Sequence, residues 1–310
     1  MSRGRSFLLL LALAAGIGAY VWFVEMKRDP NATEEAPREK LFTVDAAQIQ
    51  EVRLRNEAGE ESTLKRSGDR WTLAEAAGAD VDDTEAGNIV SAFSTLESTR
   101  VVDEQPASLA EYGLEKPRIT ASFKDAAGKE RSLLIGTKTA AGGDLYAKLA
   151  DSPRVVLVGS FLEETFNRSR FDLRDKRALK FARDAVGSIS ITNASGSMVL
   201  TRSAGAWRVT APSDSPADEA AVESLISRLS AAQMQSIVDT ADMAKTGLAK
   251  PAASVSLSAG PQQAQMEIGG PAGEGSVYAR DTQRGIVFTI ESSLADELKK
   301  KAEDFRKKAQ

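Results

Sequence analysis

The sequence has no histidine and no cysteine among its 310 residues. Without histidine there is no imidazole base, no Ser-His-Asp triad and no histidine metal ligand. Without cysteine there is no thiolate nucleophile, no disulfide and no thiolate-held zinc or iron–sulfur cluster. A lipoprotein signal is also excluded, because its acceptor thiol is missing. A strong charge excess is absent too: 44 acidic residues face 40 basic ones, for a net charge of −4. That balance argues against a strongly basic nucleic-acid binder. The remaining composition, 42% apolar and 27% charged, is ordinary globular usage. The length suggests about two domains. No cofactor is implied by these residues.

What is present begins with an uncharged run, Phe7 to Val24, behind Arg3 and Arg5. Its 18 residues make a helix of about 27 Å, close to the roughly 30 Å hydrocarbon core. The run exceeds the usual apolar region of a cleaved signal, and Tyr20 and Trp22 mark its far end as an interface. The sequence therefore predicts a cytoplasmic head at 1–6, an uncleaved transmembrane helix at 7–24 and a polar linker at 25–40. The body lies outside the cytoplasm, on the periplasmic side of a bacterial inner membrane.

The body is written twice, with a repeat of about 134 residues. Trp71 matches Trp207, Glu111–Pro117 (EYGLEKP) matches Lys245–Pro251 (KTGLAKP), and Ile135-Gly136 matches Ile268-Gly269. Tyr146-Ala147 matches Tyr278-Ala279, and Arg154 matches Arg284. The expected copies are 41–178 and 179–310. Each opens on alternating stretches such as EVRLR and SISIT, the period-2 pattern of half-buried strands. A helix follows, with Ile89, Val90, Phe93 and Leu96 on one face, and Val222, Leu225, Ile226 and Leu229 in the second copy. Asp82 with Glu85 reads as a capping box, and Ser215-Pro216 as an N-cap and first-turn proline. Gly113 and Gly247 then end short turns in the left-handed conformation. Four strands and a closing helix complete each copy; the last helix is expected over 292–308. The fold class is α+β: a transmembrane helix, then two tandem homologous domains of mainly antiparallel sheet with packed helices. The alternative is a pair of small β-sandwiches.

These features, Trp71-Thr72-Leu73, Ala79-Asp80, Tyr112 to Pro117, Ile135 to Thr139 and Tyr146-Ala147, resemble an uncharacterised bacterial family of membrane-anchored domains of unknown function. The resemblance covers residues 41–300. The second copy departs from the pattern, with Thr246 in place of the tyrosine. Members are often encoded beside ABC-type exporters of the gliding-motility type, which implies an accessory role at such a complex. No catalytic residues come with the resemblance.

Four patterns touch on chemistry. Ser62-Thr-Leu-Lys65 has the serine–lysine nucleophile spacing, but it sits in an expected strand, where the two side chains do not share a helical face. The glycine-rich stretch from Ile268 to Gly275 is neither a dinucleotide fingerprint nor a P-loop and reads as a hairpin connection. Asp80, Asp82, Asp83 and Glu85 read as an acidic helix start rather than a calcium site, lacking the loop glycine of an EF-hand. Residues 168–180, RSRFDLRDKRALK, carry six basic and two acidic side chains. Arg168, Arg170, Arg174, Lys176 and Arg177 there form either an interdomain seam or a docking patch. The first copy, with 19 basic and 24 acidic residues, supplies acidic partners for such a seam.

The expectation is a non-enzymatic accessory or scaffold protein, held by the inner membrane and partnered by an envelope or transporter complex. The rivals are a periplasmic polysaccharide- or lipid-binding module and a hydrolase using carboxylates alone.

Overall fold

The computed structural model describes residues 38–75, 80–238 and 240–307. The run Phe7 to Val24 and residues 25–37 of the expected linker lie outside the described residues. Among those described, no helix is long and apolar enough to cross a membrane. The chain forms two compact units. One holds the described residues up to Arg66 with Gly87–Asn167; the other holds Ser67–Ala86 with the residues from Arg168.

The elements of the first repeat run β1 (Glu39–Lys40), β2 (Ile49–Arg55), β3 (Glu61–Ser67), β4 (Arg70–Leu73) and helix α1 (Asp83–Thr95). Then come β5 (Glu97–Ser98), β6 (Arg100–Asp103), β7 (Ile119–Asp125), β8 (Glu130–Lys138), β9 (Asp144–Leu149), β10 (Val155–Gly159) and α2 (Phe161–Phe166). The second repeat runs β11 (Val186–Asn193), β12 (Gly196–Ser203), β13 (Ala206–Ala211), β14 (Ser215–Pro216) and α3 (Glu219–Ala231). It continues with β15 (Ser236–Ile237), β16 (Ala253–Ala259), β17 (Gln262–Gly273), β18 (Ser276–Asp281), β19 (Ile286–Glu291) and α4 (Ser292–Leu298).

The larger sheets share one strand order. The first is β4-β3-β2-β7-β8-β9-β10-β6; the second is β13-β12-β11-β16-β17-β18-β19-β15, with β14 added at one edge. Every registered pairing is antiparallel, so the α+β architecture of mainly antiparallel sheet stands. In each sheet the chain leaves one edge, passes through the helix and returns at the opposite edge before entering the centre. Alternation sets the faces: Ile49, Val52 and Leu54 are buried, while Gln50, Arg53 and Arg55 are exposed.

The two cores are built from equivalent positions with different side chains. In the first copy Phe42, Phe93, Phe123 and Phe166 form a chain of ring contacts, with centroids 4.9–5.9 Å apart. The corresponding positions in the second copy are Leu179, Leu229, Leu257 and Leu298, all buried in one cluster. Trp207, Met198, Met266 and Phe305 join that cluster.

The glycine turns lock each sheet to its preceding loop. Gly113 has φ of 67° and closes the short 3-10 turn Ala110–Tyr112; Gly247 has φ of 75°. Each lies against a second glycine on the next strand but one. A Cβ on Gly136 would stand 2.1 Å from the Tyr112 carbonyl oxygen, and one on Gly269 would stand 2.2 Å from that of Thr246. Leu114 and Leu248 pack over the same glycines and are buried. The recurrence of G-L and I-G in the sequence therefore has one cause, a backbone approach that no side chain permits.

Several local expectations change. Asp82 caps α1 by accepting from the Thr84 and Glu85 amides, at 2.8 and 3.3 Å. The reciprocal half of the box is absent: the Asp82 amide donates to the Leu173 carbonyl, and Glu85 pairs with Arg168. The α3 cap is Asp218, not Ser215, because Ser215-Pro216 pair with β13 as β14. The single C-terminal helix is two pieces, α4 and a 3-10 turn at Ala302–Phe305. The Asn193 amide donates to the Leu298 and Lys300 carbonyls, at 2.8 and 3.0 Å, and so ends α4. Gly269 and Gly270 lie within β17 rather than in the hairpin loop, which is confined to its end near Gly275.

Gly136→Ala and Gly113→Val are each expected to cost about 1–3 kcal/mol, one by overpacking and the other by strain at positive φ. Gly143→Ala, where a Cβ meets nothing within 4 Å, is expected to change stability by under about 0.5 kcal/mol. Thermal melts followed by circular dichroism check all three.

Candidate functional site

The basic segment is built from backbone pairings that recur in both copies. In the first, the returning chain bridges Arg174 to Val81, and the Asp82 amide donates to Leu173 at 3.0 Å. In the second, Arg306 bridges to Ala217, and the Asp218 amide donates to Phe305 at 2.8 Å. The incoming chain is equally repeated. Leu41 donates to Leu96 at 2.9 Å, and Ala178 donates to Ala232 at 2.8 Å. Residues 168–174 thus close the start of α1 as 300–306 close the start of α3, and 176–178 occupy the place of 39–41. The arginines matched in sequence grip these incoming strands. Arg154 pairs with Glu39 and Glu104, at 2.9 and 3.0 Å. Arg284, paired with buried Asp281, donates to the Arg177 and Ala178 carbonyls, at 2.9 and 2.7 Å.

The five candidate residues are distributed around this frame. Arg168 pairs with Glu85 at 3.1 Å. Arg170 is half-buried in the same turn. Arg174 contributes its backbone to the bridge, and its Nε is buried without an acceptor, as is that of its counterpart Arg306. Lys176 lies 3.2 Å from Asp172 and 5.1 Å from the centre of the Phe171 ring. Arg177 is held by Asp175 at 2.6 Å. Lys180 pairs with Asp80 and also, at 2.9 Å, with Asp175.

A polar cleft of about 540 Å³ opens here, lined by Asp82, Asp83, Glu85, Asp172, Asp175 and Lys176 among others. Burial pushes the Asp175 carboxyl up, but hydrogen bonds from Arg177 and Lys180 outweigh it and hold the group well below the usual carboxylate range. Asp172 behaves alike: burial raises it, and bonds from Ser169 and Lys176 bring it down. These carboxylates stay ionised at neutral pH, whereas a general acid needs its pKa raised. Among the described residues no group of three acids is placed to hold a metal ion. In the acidic helix start Asp82 caps α1, Glu85 pairs with Arg168 and Asp80 pairs with Lys180.

The serine–lysine spacing is also resolved. Ser62 is 1% exposed on β3, while Lys65 faces outward near Glu51 at 3.9 Å, so the two occupy opposite sheet faces.

The feature that sequence reasoning missed is a groove that occurs twice. In the first copy it lies between the end of α1 and the start of α2, about 310 Å³, lined by Leu96, Thr99, Asp144, Phe161 and Leu162 among others. In the second it lies between α3 and α4, about 320 Å³, lined by the corresponding Ala232, Gln235, Ser293 and Leu294. The signal available was a mismatch within the repeat: Phe161 stands where the second copy has Ser293.

The family described as Domain of unknown function (DUF4340) matches residues 71–206 and again 207–310. The chain belongs to this family. Both matched segments begin at the tryptophan that repeats, Trp71 and Trp207, so the family domain is present as two tandem copies. No curated protein and no solved structure matches the chain.

The ion pairs give this region an acid sensitivity. A carboxyl whose folded pKa is depressed stabilises fully above its unfolded value, about 4, and loses that contribution as pH falls towards the folded value. Thermal stability of the wild type is therefore expected to decline from about pH 4 downward, and Asp175→Asn to flatten that decline. Joint charge reversal of Arg174 and Arg177 is expected to lower stability modestly, by about 0–1 kcal/mol per exposed pair, and more at low salt. Melting curves at pH 3–7 and at two salt concentrations measure both effects.

Proposed function

We propose that the protein is a non-enzymatic, membrane-anchored accessory protein that presents two homologous docking modules to an envelope complex on the periplasmic side. An ABC-type transporter is the complex we assign to it. The observation that carries this reading is the duplicated groove, found at the same place in both copies. The polar cleft supports it as well, since Asp82 there is engaged in a helix cap and Glu85, Asp172 and Asp175 in pairs with Arg168, Lys176, Arg177 and Lys180. The apolar run Phe7 to Val24 has the length of a single span and supplies the anchor. The transporter part of the proposal comes from the family resemblance.

The mechanism is tethering. A short linker after the anchor confines both modules near the bilayer, which raises their effective concentration for a partner in the same membrane. Affinity is then shared between two weak contacts rather than invested in one.

Alkaline phosphatase fused after Gln310 is expected to be active, and a cytoplasmic reporter at the same site inactive. Affinity purification from membranes with residues 7–24 intact is expected to recover transporter subunits, and removal of those residues to reduce the yield at least tenfold. The opposite reporter pattern overturns the topology. Recovery of no membrane partner after mild cross-linking overturns the docking role.

A further inference from the structure

We propose that the groove of the first copy receives a lysine or arginine side chain of a partner protein, its cationic head lying between Asp144 and the exposed ring of Phe161. This rests on the docking reading above and gives that partner its chemistry.

Phe161 is 66% exposed, the large apolar side chain left in solvent among the described residues. Its ring is nevertheless placed, not loose. It lies over Gly159, where a Cβ would stand 2.5 Å from the ring's Cε1. The Cδ1–Cε1 edge of the ring thus lies against Gly159, and most of the ring remains accessible to solvent. Gly159 is paired directly with Asp144 across β9 and β10. Directly opposed residues raise their side chains on the same sheet face about 5 Å apart, so Asp144 stands beside the ring.

The Asp144 carboxylate is poorly used within the chain. Its side-chain contact is Thr99 Oγ1 at 3.5 Å, long for a hydrogen bond. The equivalent pair in the second copy, Ser276 and Gln235, bonds at 2.8 Å. The first groove thus keeps a half-buried carboxylate where the second has a serine that donates within the chain.

A carboxylate beside an exposed aromatic ring selects an organic cation, which the ring attracts through its quadrupole and the acid through charge. The rest of such a side chain fits the lining: half-buried Ala92 and exposed Thr95 border the groove above buried Leu96 and Leu162, and can meet a methylene stem. Charge favours the same occupant. Glu97 and Asp144 line the groove against Arg38 alone, and residues 41–178 carry a net charge of −5. The second groove has Ser293 in place of the ring and carries its acid, Glu291, at a different position, so it is the comparison that lacks the aromatic half of the site.

The test uses the full chain in detergent with methyl-labelled leucine, followed by NMR. The probes are n-butylguanidinium and its neutral isostere n-butylurea. The cation is expected to shift the Leu96 and Leu162 methyls and to bind at least about fivefold more tightly than the urea, while leaving Leu294 in place. Asp144→Asn is expected to bring both probes to the same affinity. Phe161→Ala is expected to weaken the cation about three- to fivefold, and Phe161→Tyr to retain it. Equal binding of the two probes, no response at Leu96 and Leu162, or unchanged affinity in Asp144→Asn and Phe161→Ala overturns the proposal. Any of these results leaves the co-purification test of the docking role untouched, because that test does not depend on which side chain enters the groove.

Discussion

A carbonyl oxygen resting on a glycine holds each copy together. Tyr112 in the first and Thr246 in the second press their backbone oxygens against Gly136 and Gly269, where any side chain would be in the way. The contact fixes the turn that follows the crossover, buries Leu114 or Leu248, and aims the chain into the central strand, β7 or β16. That strand pairs with β2 or β11, made before the helix, so the early hairpins and the late hairpins become one sheet. The contact is between backbones, which explains why it survives a change from tyrosine to threonine at the residue supplying the oxygen.

Around that lock the copies have diverged without changing shape. Four phenylalanines became four leucines in the core, or the reverse, with Trp207, Met198 and Met266 filling the second core. The smaller leucines are accompanied by a fully enclosed tryptophan where the first copy's Trp71 is only half-buried, the kind of repacking that cores tolerate. The open sheet faces diverged further. In the first copy Glu51, Arg53, Lys65 and Glu130 interleave their charges across strands. In the second, Ser188, Ser190 and Thr192 face Ser258, Ser256 and Ser254 across β11 and β16.

Most of the architecture was legible because it is written in alternation and in glycine. The principal strands and both amphipathic helices follow from period-2 and period-3.6 patterns that burial preserves, such as Val222, Leu225, Ile226 and Leu229. What failed was decided by hydrogen-bond partners that lie outside the local pattern, some of them far along the chain. Ser215 looks like a cap until β13 claims it; Leu294, Leu298 and Phe305 look like one helical face until Asn193 stops the helix from 105 residues away. The basic segment was visible as charge, but its purpose is set by backbone bonds to Val81, Asp82 and Ala232, which no side-chain pattern announces. The grooves were invisible for the same reason, since each is the space left between elements joined only by tertiary packing.

The two-residue pairing of β1 with β5 sets how the first copy meets mechanical load. Beyond Arg38, a pull on the chain reaches the Glu39–Arg154 pair, then the bonds of Glu39 and Lys40, then the Leu41 amide on Leu96. These are loaded one after another, as in peeling, so the strand yields at low force. Phe42, buried among the other rings, then stops the process. The fold thus contains a short extensible leader, about 10 Å at 3.3–3.6 Å per residue.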